Sequence, residues 1–248
     1  MAVLTANNIS KKYVSKDNAC MALNDICVNV EKGDFVSIVG KSGAGKSTLL
    51  FLLAGIKYPD TGDVLMNGRS ITKMKDKELS KVHGTEMGIV FQDSKLVEEL
   101  SVFDNIALPG YLYRKKDDVD KEALSLLSSL HMIDQKDKYP DQLSAGQKQR
   151  IAFARALINQ PDIIFLDEPT GNLDVKTGRW IYSLLVKLNK SGKTIVMVTH
   201  DSNAAAVISN KVWILDSGHL KKEFSYKAGC NNSEEVKVRL KEINEMMY

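Results

Sequence analysis

The sequence predicts an α/β fold: a mostly parallel core sheet, an N-terminal antiparallel β-subdomain and a helical insertion subdomain. Three observations carry that expectation. Short unbroken apolar runs, Phe35-Val36-Ser37-Ile38-Val39, Ile163-Ile164-Phe165-Leu166 and Thr194-Ile195-Val196-Met197-Val198, read as strands covered on both faces, as parallel strands are. From the start to about residue 32, apolar and polar positions alternate instead, with Val3, Ile9 and Tyr13, then Leu23, Ile26, Val28 and Val30, which is the period of half-buried antiparallel strands. Between residues 95 and 142 the spacing turns helical: Val119, Ala123, Leu126, Leu127 and Leu130 recur on one face, with Asp117 and Asp118 placed to begin the helix.

The remaining elements follow in order. A glycine-rich segment after the first apolar run leads into an apolar helix from Lys46 to about Ala54. Val212-Trp213-Ile214-Leu215, the turn Asp216-Ser217-Gly218 and His219-Leu220 make a strand and hairpin. A last helix is expected from Ser233 to Met247, where Val236, Leu240, Ile243 and Met247 form an apolar stripe and Asn232 with Glu235 provides an approximate cap. Packing on its own domain is the plain reading of that stripe.

Bulk composition narrows the function classes. With 44% hydrophobic and 26% charged residues in 248, the chain has enough apolar material for a real core, which excludes a disordered tail or linker. The net charge of +3 arises from 34 basic and 31 acidic residues spread throughout, so nothing points to nucleic acid as the main partner. Cys20, Cys27 and Cys230 form no CxxC pair and leave an odd count, against both a disulfide framework and a zinc site and in keeping with a reducing cytosol. The longest apolar stretch, Leu49 to Ile56, is far short of the roughly 20 residues a bilayer requires, and no basic-then-apolar leader opens the sequence. The expectation is a chain that neither crosses a membrane nor is exported.

The chemistry concentrates at strand ends. Gly40-Lys41-Ser42-Gly43-Ala44-Gly45-Lys46-Ser47 matches G-x-x-x-x-G-K-[ST] in full, between a strand and a helix, where a phosphate-binding loop must lie. Its glycines let successive amides curl inward toward phosphate oxygens, and the helix behind it adds the positive end of its dipole. Lys46 is placed for the β and γ phosphates of ATP and Ser47 for a magnesium ion bridging them, with Thr48 completing the nucleotide-binding stretch. Asp167 and Glu168 follow the second apolar run. The first carboxylate suits the metal and the second the attacking water, which makes hydrolysis, beyond binding, the expected activity.

Leu143-Ser144-Ala145-Gly146-Gln147 precedes an apolar-faced helix by way of Lys148-Gln149-Arg150, with Ser144 as the N-cap. Its place about 20 residues before the acidic strand, together with Gln92, the turn Gly171-Asn172-Leu173-Asp174 and His200, resembles the ATP-binding cassette family over nearly the whole chain, from Tyr13 to about Leu220. Taken singly, Tyr13 reads equally as a strand side chain, Gln92 as a loop residue and His200 as a cap or surface group. Their joint order carries the resemblance.

The resemblance implies a P-loop NTPase: a RecA-like core with its β-subdomain over about 1–94 and 160–224, a helical subdomain over about 95–159 and a helical extension over 225–248, all within one ATPase domain. It implies two copies packed head to tail around two ATP, with Ser144, Ala145, Gly146 and Gln147 of one facing the γ-phosphate held by the other's loop. It assigns Tyr13 to adenine, Gln92 to magnesium and the attacking water, Asp174 to the contact between copies and His200 to the γ-phosphate. Ala145 departs from the family, which usually has a second glycine there. Its methyl group is expected to crowd the opposite phosphate and weaken activity without abolishing it.

The helical insertion, with Gln92 at its mouth, is similar to the lobe through which cassettes grip a separate integral membrane permease, here expected near residues 92 to 110 at the cytoplasmic face. The wording Glu168-Pro169-Thr170-Gly171-Asn172-Leu173-Asp174, with Asn105-Ile106-Ala107-Leu108-Pro109, resembles the subgroup serving lipoprotein release, macrolide export and antimicrobial-peptide resistance. The same subgroup contains a cell-division pair that transmits force and moves no cargo, and that reading shares every residue named. A chromosomal or ribosomal cassette would need a coiled-coil insertion or a second phosphate loop, and a P-loop kinase would not need Ser144 to Gln147.

Overall fold

The computed structural model describes residues 2–14, 19–226 and 233–247, which fall into two compact units, 1–79 with 182–248 and 80–181. The first unit opens with β1 (Ala2–Val14) and β2 (Ala19–Glu31), then β3 (Phe35–Val39), α1 (Lys46–Leu53), β4 (Thr61–Met66) and β5 (Arg69–Ser70), and α2 (Asp76–Thr85) leads out of it. β1 pairs antiparallel with both β2 and β4, in the order β2-β1-β4-β5. Leu4, Ala6 and Ile9 of β1 face inward with Leu23, Ile26, Val28 and Val30 of β2, while Val3 is only half-buried. The expected alternation is therefore offset by a bulge. Asn8 and Asp25 both take left-handed backbone, φ 48 and 53, and Asn8 Nδ2 donates to Asp25 Oδ1 at 2.8 Å, so each strand spends a residue turning its face back to the core.

The second unit holds β6 (Met87–Val90), α3 (Val102–Tyr111), α4 (Lys116–Ser129), α5 (Ala145–Leu157), β7 (Ile163–Asp167) and the first part of α6 (Val175–Lys190). β6 and β7 run parallel, with Met87 opposite Ile163 and Val90 opposite Leu166. α3 packs on both α4 and α5, burying Val102, Ile106, Val119, Ala123, Leu127, Ile151 and Ala154. α4 begins one residue before the acidic pair: Lys115 is its N-cap and makes no side-chain cap bond, so Asp117 and Asp118 act by charge in the first turn rather than as caps.

The chain then completes the first unit with β8 (Thr194–Val198), α7 (Ser202–Ile208), β9 (Lys211–Asp216), β10 (His219–Ser225) and α8 (Ser233–Met247). β3 lies between β8 and β9, parallel to both, and β10 returns antiparallel along β9. Every residue of β3, β7 and β8 is buried, as their unbroken apolar runs foretell. α8 packs on its own unit. Ile243 and Met247 are buried against Val39, Ala205, Ala206, Val212 and Ile214, with Val236 and Leu240 half-buried beside them. The expected cap Asn232 lies outside the described residues, as does Cys230. Sequence reading missed that Arg239, on this helix, is only 3% exposed: it pairs with Glu235 at 2.8 Å and lies 4.3 Å from the centre of the Tyr226 ring.

Candidate active site

In the first unit the parallel register places the key residues. Ile38 pairs with Val198 across β3 and β8, and two positions further on lie Gly40 and His200, so the phosphate loop and the exposed imidazole leave the sheet at the same edge. The loop is pressed close against its surroundings. A Cβ on Gly40, at φ 152, would stand 2.1 Å from the Leu215 carbonyl oxygen of β9, and one on Gly45, at φ 99, would stand 2.3 Å from the Ala22 carbonyl of β2. No other residue type fits either place, so the glycines are demanded by packing as well as by dihedral angle. Gly45 is also the N-cap of α1, whose first residue is Lys46. Lys46 is 7% exposed, and its ammonium donates to the Gly40 and Lys41 carbonyls, each at 2.9 Å. A buried cation held by its own loop, beside the start of a helix, is a site for an anion.

Tyr13 stands beside this loop. Its hydroxyl accepts from Lys57 Nζ at 2.8 Å and also bonds Thr48 in the first turn of α1, and the Lys57 ammonium lies 4.8 Å from the ring centre. Burial acts to raise the phenol's pKa, but the Lys57 and Thr48 hydrogen bonds and the charges of Lys57 and Lys11 leave it below its ordinary value.

The second unit repeats the arrangement. Val90 pairs with Leu166 in the parallel register, and two positions on lie Gln92 and Glu168. Asp167 closes β7 and is 8% exposed, whereas Glu168 turns abruptly into left-handed backbone at φ 44. That conformation is uncommon for a residue with a side chain, and such residues gather where a surrounding structure holds a functional group in place. Gln92 Nε2 and Glu168 Oε2 each lie 3.4 Å from the point where a Cβ on Gly171 would stand, so amide and carboxylate flank one glycine. The Gly171 amide closes the turn onto the Glu168 carbonyl at 3.1 Å.

Ser144 caps α5 as expected. Its hydroxyl accepts from the Gln147 amide at 3.3 Å, and the Gln147 side chain accepts from the Ser144 amide at 2.9 Å. Asp174 performs the same service for α6, accepting from the Thr177 amide at 3.0 Å and from its hydroxyl at 2.6 Å, and these bonds lower its pKa. Thr177 in turn packs against Gly146, where a Cβ would meet its methyl at 3.1 Å. Between these two helix starts opens a cleft of about 600 Å³, lined by Ser144, Ala145, Gly146, Arg150, Asn172 and Asp174 among others. The Ala145 methyl is exposed at its edge.

The described residues contain no group of three or more His, Cys, Asp or Glu side chains able to cage a metal. Magnesium needs no such cage: it takes a few protein oxygens and completes its shell with phosphates and water, and the Ser47 hydroxyl in the first unit, like the Asp167 carboxylate and Gln92 amide oxygen in the second, is a hard oxygen donor of the kind it takes.

Parallel strands ending in a glycine-cradled lysine define a P-loop nucleotide-binding protein. The family model described as "ABC transporter" matches residues 23–171, and the chain belongs to that family. It is an ATPase of the ATP-binding cassette type. The bacitracin export ATP-binding protein BceA of Halalkalibacterium halodurans is 43% identical over 218 residues, covering 87% of this chain and 86% of that protein. The macrolide export ATP-binding/permease protein MacB of Chlorobaculum tepidum is 38% identical over 209 residues, 84% of this chain, which spans only 32% of that longer protein. Among solved structures, the ATP-binding cassette MJ0796 in a dimeric post-hydrolysis state with ADP and Pi superposes with a TM-score of 0.84 at 37% identity, covering 91% of this chain and 99% of that one. The predicted fold class is borne out. No helix among the described residues is long and apolar enough to cross a membrane.

Proposed function

We propose that this chain is the energy-converting subunit of a bacterial export or extraction system: two copies close head to tail on two Mg-ATP, and hydrolysis drives a separate membrane permease at its cytoplasmic face. The observation that carries the nucleotide reading is the loop cradle, in which packing requires glycine at Gly40 and Gly45 and the buried Lys46 ammonium sits on the loop's own carbonyls. Lys46 and the amides of Gly40 to Thr48 hold the phosphates, and Tyr13 offers a ring face to adenine. Glu168 takes the proton of the attacking water, Gln92 orients that water, and His200 donates a hydrogen bond to the γ-phosphate. Magnesium, when bound to Ser47, Asp167 and Gln92, offsets charge on the phosphates. Ser144, Ala145, Gly146 and Gln147 face the twin's γ-phosphate, and Asp174 lies at the contact between copies.

Relatives support the remainder. The bacitracin protein is named as an export ATP-binding protein, and the macrolide protein joins an ATP-binding part to a permease in one chain. A groove of about 310 Å³ in the second unit, lined by His83, Met87, Phe91, Lys95, Pro109 and Arg155 among others, has no acidic residue in its lining and suits a permease helix bearing a carboxylate. Cargo is expected to be a peptide, lipoprotein or other hydrophobic molecule. Purification from native membranes in mild detergent tests this directly: a co-purifying permease is expected, recovery of a cargo-free division or signalling protein would favour force transmission, and recovery of no membrane protein would refute the partner.

Ala145 is exposed in the lining of the cleft between the two helix starts, so Ala145→Gly removes the group expected to crowd the twin's phosphate with little loss of packing. Turnover, read by steady-state phosphate release, is expected to rise about two- to fivefold, at a stability cost of no more than about 1 kcal/mol. Unchanged turnover would show that the methyl is no obstacle.

A further inference from the structure

The loop that bears Gln92 is tied to the helix that begins at Ser144. Gln149, in the second turn of α5, is 2% exposed and turns its amide toward this loop. Its Oε1 accepts from Ser94 Oγ at 2.7 Å, and its Nε2 donates to the Phe91 carbonyl at 3.3 Å. Further along the same helix, Arg155 spreads its fork over the next two carbonyls, Nη2 donating to Ser94 and Nη1 to Lys95, both at 2.7 Å. Burial acts to lower the Arg155 pKa, the mark of a guanidinium engaged inside the protein. Four hydrogen bonds from one helix therefore hold three of the five residues 91–95 with which the loop between β6 and α3 begins.

The backbone they hold is one that would relax if released. Ser94 and Lys95 are both left-handed, φ 25 and 47, and the Lys95 amide folds back onto the Asp93 carbonyl. Neither is a glycine, so the conformation persists because its surroundings impose it. A second anchor lies on the far side: buried Asn105 donates to the Val97, Leu100 and Ser101 carbonyls and accepts from the Val97 amide, fixing where the loop can end. Gln92 sits between the Phe91 and Ser94 anchors, exposed, with its amide beside Glu168.

We propose that Gln149 and Arg155 are positioning residues for Gln92, forming a clamp that makes the Gln92 loop and α5 one rigid piece. Gln92 belongs to one nucleotide site and the Ser144 cap faces the other, so the clamp passes a displacement at either to its counterpart. This rests on the reading of Gln92 given above. It adds a structural link and names the side chains that make it.

The test uses the purified full-length chain with Arg155→Lys, which keeps the charge and loses the fork, and the milder Ser94→Ala, which removes one hydroxyl and stands in should the first misfold. Each is expected to lower kcat about tenfold and to raise the magnesium concentration for half-maximal turnover, with the affinity for a fluorescent ATP analogue without magnesium unchanged. Placed on Gln92→Ala, the same changes are expected to cost nothing further, because the residue they position is gone. Factors that multiply in that background, or single variants with wild-type turnover, would overturn the clamp while leaving Gln92's role intact. Wild-type turnover in Gln92→Ala alone would overturn the reading of Gln92, and the clamp with it.

Discussion

Glu168→Gln is expected to lower steady-state ATP hydrolysis by about 10²- to 10⁴-fold, while Mg-ATP still binds and the two copies stay closed on it. The substitution is nearly isosteric, so the side chain can keep its place next to the Gly171 Cα, where a Cβ would stand 3.4 Å from Glu168 Oε2, and an amide can still hydrogen-bond water. It cannot take the water's proton. The left-handed backbone at Glu168 fits the expectation, because such a conformation in a residue with a side chain persists where the surroundings impose it, as they do at functional positions. Phosphate release should fall, and size-exclusion chromatography with Mg-ATP should show a dimer peak that persists where the wild-type peak decays. Hydrolysis at the normal rate would remove Glu168 as the base and turn attention to His200, which leaves the sheet beside the phosphate loop.

The parts of the site legible in the sequence are those in which backbone geometry itself restricts residue type. Gly40 and Gly45 could be named because only glycine lets the chain pass so close to β9 and β2, and the strands beside them because two covered faces require unbroken apolar runs. The Ser144–Gln147 cap was equally readable, since capping is local to four residues. Long-range polar contacts leave no such trace. Gln149 read as one of three polar residues opening a helix, and nothing in its spacing says that its amide meets Phe91 and Ser94, 58 and 55 residues earlier. Buried Arg239 was hidden in part for the same reason: Glu235 is one helical turn away on α8, but Tyr226 becomes a neighbour only once α8 packs on its own unit. The bulge at Asn8 and Asp25 displaced the inward face of β1 from Val3 to Leu4, because a single inserted residue reverses an alternation of period two.

Lys46→Met is expected to weaken Mg-ATP binding about 100-fold, read by titration calorimetry. The methionine keeps the apolar stem of a side chain that is 7% exposed, so the packing around α1 changes little and the loss reports on the charge. That charge has two duties. The ammonium bridges the Gly40 and Lys41 carbonyls and closes the loop on itself, and it is expected to reach the phosphates of ATP in a charge-assisted contact worth about 1.5–3 kcal/mol in all. Losing the first duty loosens a short loop whose shape the neighbouring strands still impose, so melting without nucleotide is expected to shift only slightly. Losing the second removes the thermal protection that ATP provides. At nucleotide concentrations about 100 times Kd the wild-type chain should gain about 2.7 kcal/mol, and so melt several degrees higher, while the variant at the same concentration gains little. An unaltered affinity would mean that the loop amides and helix dipole hold the triphosphate unaided, and the ammonium would then be a structural closure of the loop and no ligand for phosphate.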